Sequence, residues 1–138
     1  MFKKIVLTLL VVLLSATAAL AANIMEQDEL KNRLDNNLPV ILVDIQPAAD
    51  FEKQHLPGSI ETNAFPAKTA KDKARLDKAL AVIEASADPV VILCPRGKSG
   101  AKNSYDYFLS KGVPEERLFI LEDGILGWPF EDMFVAGR

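Results

Sequence analysis

Cysteine and histidine are scarce in this chain, which has one of each among 138 residues. A single cysteine cannot form an internal disulfide bond, so the thiol is an inert core group, an intermolecular link or a reactive group. Basic runs are also absent, and 19 acidic residues outnumber 16 basic ones, which makes the chain a poor nucleic-acid binder. The chain has no internal repeat or long linker, and its length suits one compact domain.

The one long apolar segment lies at the N-terminus. Lys3 and Lys4 come first, an apolar stretch dominated by Ile, Val and Leu follows at 5–14, and residues 15–22 are small and alanine-rich. A positive region, an apolar region and a small-residue end together form the layout of a secretory signal peptide.

We therefore predict that residues 1–22 are a signal peptide, cleaved near Ala21 or Ala22, and that residues 23–138 form the exported domain. An uncleaved membrane anchor is the alternative, but the strongly apolar part is too short to cross a bilayer. The prediction places the mature protein in the periplasm, with no stable membrane insertion after cleavage.

Strands alternate with helices along the rest of the chain. Apolar runs predict strands at 39–45, 59–62, 88–94 and 116–123. Helical spacing and turn residues predict helices from an N-cap at Asn23, at 47–54, at 70–85, and from Lys98 or Ser99 to Gly112. Because the best strands are apolar on both faces, the pattern predicts a three-layer α/β domain, with helices flanking a mainly parallel central sheet.

The cysteine, Cys94, stands at the carboxyl end of one predicted strand, followed by the segment "CPRGKSG" and a helix. Ligands of parallel sheets bind beyond the carboxyl ends of the strands. The position of the thiol is therefore that of an active site.

The residues after Cys94 suit an anion. Gly97 and Gly100 let the chain curl so that successive N–H groups point to one place. These amides, the positive end of the helix and two cations would stabilise a thiolate or an anionic substrate. We predict that Cys94 is the nucleophile, and that the substrate-binding residues are Arg96, Gly97, Lys98, Ser99 and Gly100.

Less specific interpretations remain open for these residues. Cysteine is among the most buried residue types, so Cys94 is alternatively a small core group. Arg96 and Lys98 are alternatively solvated surface charges. Ser99 either caps the helix or donates its hydroxyl to the sulfur.

Asp44 ends another predicted strand on the same edge of the sheet. It either supports the Cys94 loop by accepting backbone N–H bonds or caps the short helix that follows Pro47. Trp128 and Phe130 are interpreted as packing residues rather than as the rim of a pocket.

Four sequence blocks resemble the single-domain rhodaneses, a family of thiosulfate sulfurtransferases. In order along the chain they are "ILVDIQPAADFEKQHLPGSI", "VVILCPRGKSGA", "FLSKGV" and "LEDGILGWP". The resemblance covers about Asn23 to Phe130. It implies a rhodanese-like fold, a catalytic Cys94, and a structural rather than catalytic turn at His55.

The chain departs from the family pattern at three positions. Gln46 stands where the family usually has an arginine after its Asp-Val pair, and Gln54 replaces the glycine that precedes the histidine. Pro95 removes one N–H group from the loop. In the loop C-P-R-G-K-S, the cation Arg96 and the hydroxyl of Ser99 resemble members that use thiosulfate rather than mercaptopyruvate.

The resemblance implies a sulfurtransferase that needs no metal or organic cofactor. A small anionic donor such as thiosulfate would leave its outer sulfur on Cys94 as a persulfide, and cyanide, a thiol or a protein acceptor would remove it. A low-turnover sulfur carrier or partner-binding module is the alternative. A cysteine phosphatase or arsenate reductase is a weaker alternative. Such an enzyme needs an arginine at the end of the loop to bind the oxygens of the oxyanion, and this chain has Gly100 at that position.

Overall fold

The computed structural model describes residues 21–138, which form five strands and five helices. The strands are β1 (Ile24–Met25), β2 (Ile41–Asp44), β3 (Ile60–Glu61), β4 (Val90–Leu93) and β5 (Leu118–Leu121). The helices are α1 (Gln27–Asp35), α2 (Ala48–Lys53), α3 (Ala70–Ala74), α4 (Asp77–Glu84) and α5 (Ser99–Ser110), with single 3-10 turns at Glu115–Arg117 and Glu131–Met133.

The predicted signal peptide lies outside the described residues, apart from Ala21 and Ala22, and stays a prediction. Within the described part, no helix combines the length and the apolar character needed to cross a membrane.

The strands form one sheet in the order β1-β5-β4-β2-β3, and every pair is parallel. The central strand β4 pairs with β2 along its whole length, from Ile41 opposite Val90 to Asp44 opposite Leu93. The predicted parallel α/β sheet is confirmed. Cys94 directly follows the central strand, where a ligand is flanked by loops from both sides.

Side chains of the strands alternate between two apolar layers, as the two-residue period of a strand requires. Ile92 and Cys94 belong to the layer that also contains Tyr105 and Phe108 of α5. The opposite layer contains the strand residues Leu42, Val91, Leu93 and Leu121, packed with Leu30 of α1 and with Trp128. The three-layer prediction is therefore confirmed.

The first predicted helix begins later than expected, because the residues before it join the sheet. Asn23 does not cap α1; its side chain donates to the carbonyl of Glu115 at 3.0 Å, and its own carbonyl accepts from Ile120 N–H at 2.8 Å. Ile24–Met25 then pairs with β5. Local capping residues predicted a helix start, but a long-range strand pairing uses the same backbone groups.

The helix predicted at 70–85 is two helices. Thr69 and Asp72 form a capping box that starts α3. The N–H of Leu76 then bonds to the carbonyl of Lys73, three residues back, which tightens the turn between α3 and α4. The break lets Leu76 become fully buried in the core.

Candidate active site

Cys94 lies at the floor of a pocket. The residue is 1% exposed, yet it lines a cavity of about 250 Å³. The other residues that line this cavity are Phe65, Pro95, Arg96, Lys98, Ser99 and Gly100. The structure thus brings the thiol together with four of the five predicted substrate-binding residues.

The fifth, Gly97, contacts the sulfur through its backbone. Its N–H donates to Sγ of Cys94 with a nitrogen–sulfur distance of 2.7 Å. Gly97 adopts φ +68°, in the left-handed region that favours glycine. An N–H group aimed at a sulfur atom favours negative charge on it.

The loop ends where α5 begins, at Ser99, with Lys98 as the N-cap residue. The Lys98 side chain makes no capping hydrogen bond, and Ser99 lies inside the helix, so Ser99 is not the cap. Its exposed side chain instead borders the pocket. The positive end of a twelve-residue helix thus lies beside the thiol.

Arg96 and Lys98 are exposed and border the pocket. Neither cation belongs to any of the five ion pairs between described residues. Their charges are therefore available to an anion that enters the pocket.

A turn after β5 holds the loop from behind. The carbonyl of Cys94 accepts from Ile125 N–H at 2.8 Å, and the carbonyl of Pro95 accepts from Leu126 N–H at 2.9 Å. Gly124, with φ +65°, lets the two backbones touch, because a Cβ there would lie 2.3 Å from the carbonyl oxygen of Cys94. The block "LEDGILGWP" thus supports the backbone of the Cys94 loop, although the sequence analysis did not assign it to the site.

Phe65 is a second site residue that sequence reasoning missed. Two of its ring atoms lie 2.8 and 2.9 Å from where a Cβ on Gly100 would stand, so Gly100 makes room for the ring. The N–H of Phe65 donates to the carbonyl of Ile45 at 2.8 Å, which fixes the aromatic residue beyond the end of β2. No local pattern marks it, because the contact joins residues far apart in sequence.

Asp44 does not make the contacts that we expected. Its two carboxylate oxygens accept from the backbone N–H of Gln46 at 2.8 Å and from Nε2 of Gln46 at 2.9 Å. The N–H of Ala48, at the start of α2, bonds to Oδ1 of Asn63 instead. Asp44 therefore stabilises its own turn, and its hydrogen bonds reach neither α2 nor the Cys94 loop.

The sheet register explains why the Asp44 carboxylate does not reach the Cys94 loop. Asp44 stands opposite Leu93, whose side chain belongs to the layer that contains α1. Cys94 follows one residue later and points to the layer that contains α5. The carboxylate and the thiol thus lie on opposite faces of the sheet.

Burial raises the pKa of Asp44 to about 6, and the hydrogen bonds from Gln46 offset part of this rise. The residue is fully buried. Gln46, at the position where the resemblance has arginine, supplies hydrogen bonds but no positive charge.

The remaining candidates are structural. The ring of His55 stacks on Phe51 with centroids 3.8 Å apart, and its backbone pairs with Val135. Trp128 is 3% exposed and donates from Nε1 to the carbonyl of Phe130 at 3.1 Å, which confirms the packing interpretation. Across residues 21–138, no three His, Cys, Asp or Glu side chains group in a way that could hold a metal ion.

Comparison with known proteins identifies the family. A model of the rhodanese-like domain matches residues 26–130. The chain belongs to the rhodanese-like family. A search of curated proteins gives no sequence match.

Solved structures share the rhodanese-like fold at low sequence identity. A rhodanese-like domain protein from Staphylococcus aureus has 19% identity and a TM-score of 0.60 over 86% of this chain and 100% of its own. A thiosulfate sulfurtransferase from Pseudomonas aeruginosa has 20% identity and a TM-score of 0.58 over 85% of this chain and 21% of its own. A yeast protein tyrosine phosphatase of the rhodanese family has 14% identity and a TM-score of 0.64 over 85% of this chain and 94% of its own.

The contact between Gly124 and the Cys94 loop predicts a strong effect of Gly124→Ala. The new methyl group would overlap backbone atoms, so we expect the free energy of unfolding to fall by about 2–4 kcal/mol. Gly112→Ala is the matched control, because Gly112 also has a positive φ but no atom of residues 21–138 within 4 Å of the added Cβ. It should cost only about 1 kcal/mol. Urea unfolding of both variants measures the difference. Equal losses of unfolding free energy would contradict the role of Gly124 in supporting the Cys94 loop.

The raised pKa of Asp44 predicts that its contribution to stability grows as pH falls. The folded state holds the proton more tightly than the unfolded state, whose pKa is about 4. Between pH 7 and pH 4, the wild type should therefore gain about 2–3 kcal/mol of unfolding free energy relative to Asp44→Asn. Urea unfolding across this range measures the gain. Asp50→Asn, which replaces an exposed carboxylate of α2, is the control; a constant difference for Asp44→Asn would refute the prediction.

Proposed function

We propose that this protein is a sulfurtransferase that moves a sulfane sulfur from a small anionic donor such as thiosulfate to a thiophilic acceptor, cyanide or a thiol. Cys94 is the nucleophile and carries the sulfur as a persulfide. The observation that supports this most is the N–H of Gly97, whose nitrogen lies 2.7 Å from Sγ in a pocket that is also lined by two cations. Neither cation forms an ion pair with another described residue. We also propose that the protein acts in the periplasm, after removal of residues 1–22.

In the first step, the Cys94 thiolate attacks the outer sulfur of thiosulfate. The sulfur–sulfur bond of thiosulfate breaks, sulfite leaves with the bonding electron pair, and a persulfide anion remains on Cys94. Arg96 and Lys98 attract the dianionic donor, and the N–H of Gly97 with the N-terminus of α5 stabilises the negative sulfur.

In the second step, the acceptor attacks the outer sulfur of the persulfide. The new bond forms as the sulfur–sulfur bond on Cys94 breaks, and the Cys94 thiolate leaves. Cyanide becomes thiocyanate, whereas a thiol becomes a persulfide and passes its proton on. No electrons are gained or lost overall, and no cofactor takes part.

The loop composition favours sulfur transfer over phosphate chemistry. A phosphatase loop surrounds a tetrahedral oxyanion and ends in an arginine that binds two oxygens at once. Here Gly100 occupies that position and packs beneath Phe65. The resemblance to a phosphatase structure therefore supports the shared fold rather than a shared reaction.

A persulfide on Cys94 is the decisive observation. After incubation of the purified domain with thiosulfate alone, we expect intact-mass analysis to detect a gain of one sulfur atom. Cyanide should remove it, with formation of thiocyanate, and Cys94→Ser should never gain it. No adduct on the wild type would refute the proposal, and hydrolysis of p-nitrophenyl phosphate in its place would favour the phosphatase.

Arg96 and Lys98, which form no ion pair in the part of the chain that the structure describes, are predicted to bind the donor. Arg96→Gln and Lys98→Gln should each raise the KM for thiosulfate about three- to tenfold, because each removes one charge from a site for a dianion. Lys78→Gln, on the exposed side of α4, is the matched control and should leave KM unchanged. Steady-state thiocyanate formation measures all three variants. An equal KM in all three variants would show that neither Arg96 nor Lys98 contributes to donor binding.

A further inference from the structure

Exposed apolar side chains lie close to the Cys94 loop. Among the described residues, six large apolar side chains are exposed: Ile24, Leu38, Phe65, Val82, Leu126 and Val135. Two of them belong to the surroundings of the thiol. Phe65, 40% exposed, lines the cavity of Cys94, and Leu126, 57% exposed, is the most exposed of the six.

Leu126 lies outside the Cys94 cavity but next to its wall. Its N–H donates to the carbonyl of Pro95, and it borders two neighbouring cavities. One, of about 370 Å³, is lined by Gln46, Asp50, Lys53, Gln54, Pro95 and Leu126. The other, of about 260 Å³, is lined by Arg96, Lys98, Asp123, Leu126 and Gly127. The three cavities share loop residues and therefore form one contiguous surface, which we call the loop face.

The loop face carries more positive than negative charge. Its cations are Arg96, Lys98 and Lys53, and its acids are Asp50 and Asp123. None of the three cations takes part in an ion pair of the described chain. This local excess contrasts with the acidic composition of the whole sequence.

Among the acceptors that the resemblance implies, we propose that the loop face selects a partner protein, which docks there and presents its cysteine in a surface that is both apolar and acidic. The inference rests on the proposed function. Cyanide or a small thiol fits within the Cys94 cavity and leaves Leu126 exposed to water. A protein surface covers Phe65, Pro95 and Leu126 together, and burial of such apolar side chains favours association. Acidic groups around the partner's thiol complement the free cations.

The transfer step is the thiol version of the second half-reaction. The partner's thiolate attacks the outer sulfur of the Cys94 persulfide, the existing sulfur–sulfur bond breaks, and the Cys94 thiolate leaves. The partner's cysteine becomes a persulfide. The proton released when the partner's thiol ionises goes to solvent or to the new persulfide, so atoms, charge and electrons balance.

The test uses synthetic peptides as acceptors. The persulfide form of the full domain is mixed with a capped nonapeptide whose central cysteine is flanked by leucines and glutamates. A second peptide has serines in place of the leucines, and a third has lysines in place of the glutamates. Mass spectrometry follows loss of sulfur from Cys94 and its gain by each peptide, with cyanide as the small acceptor.

Each peptide is compared across variants, so that differences in the intrinsic reactivity of its thiol cancel. Leu126→Ser should slow transfer to the leucine–glutamate peptide about fivefold to tenfold, while transfer to cyanide stays within about twofold. Leu126→Glu should slow transfer to that peptide more than Leu126→Lys, because both remove the apolar side chain but only one repels an acidic partner. Val82→Ser, at an exposed apolar residue of α4, is the matched control and should change nothing.

The outcomes separate this inference from the proposed function. A domain that forms the persulfide and reacts with cyanide, but transfers to the peptide equally well in the wild type and Leu126→Ser, overturns the docking surface alone. Equal rates for Leu126→Glu and Leu126→Lys overturn the acidic character of the partner. Failure of Cys94 to form a persulfide overturns both proposals.

Discussion

The site depends on a close contact between two backbones. The turn after β5 binds the carbonyls of Cys94 and Pro95, and Gly124 permits an approach that any side chain would block. This contact shapes the loop so that the N–H of Gly97 can reach the sulfur. The conformation is thus imposed from outside the loop, and the thiol does not have to order its own surroundings when a substrate arrives.

The parallel sheet places Cys94 and Asp44 on opposite faces, although they stand at the ends of neighbouring strands. Cys94 faces the layer of α5, whose N-terminus adds a positive dipole end beside the thiol. Asp44 faces the other layer and is bound by Gln46. A buried acid with a neutral partner is tolerated there because the hydrogen bonds of Gln46 replace those of water, although its raised pKa indicates that ionisation still costs free energy.

Membership of the rhodanese-like family establishes the fold but does not establish which reaction the protein catalyses. That question depends on the residues of the Cys94 loop. Structures with this fold include a thiosulfate sulfurtransferase and a protein tyrosine phosphatase, at identities of 20% and 14%. What differs among such proteins is the chemistry that the residues after the cysteine can support. In this chain two cations of the loop form no ion pair within residues 21–138, and Gly100 lies beneath Phe65. The proposed function rests on this combination.

The sequence by itself determined the features that depend on neighbouring residues. Apolar runs predicted β2, β4 and β5, and a cysteine between a strand and a glycine-bearing cationic loop predicted where the thiol lies and which residues surround it. Only the tertiary structure decided that Phe65 forms a wall of the pocket, that Gly124 supports the loop, and that Asp44 turns away from it. These facts depend on which strands pair, in what register and on which face, and such long-range contacts leave no periodic signal in the residues that make them.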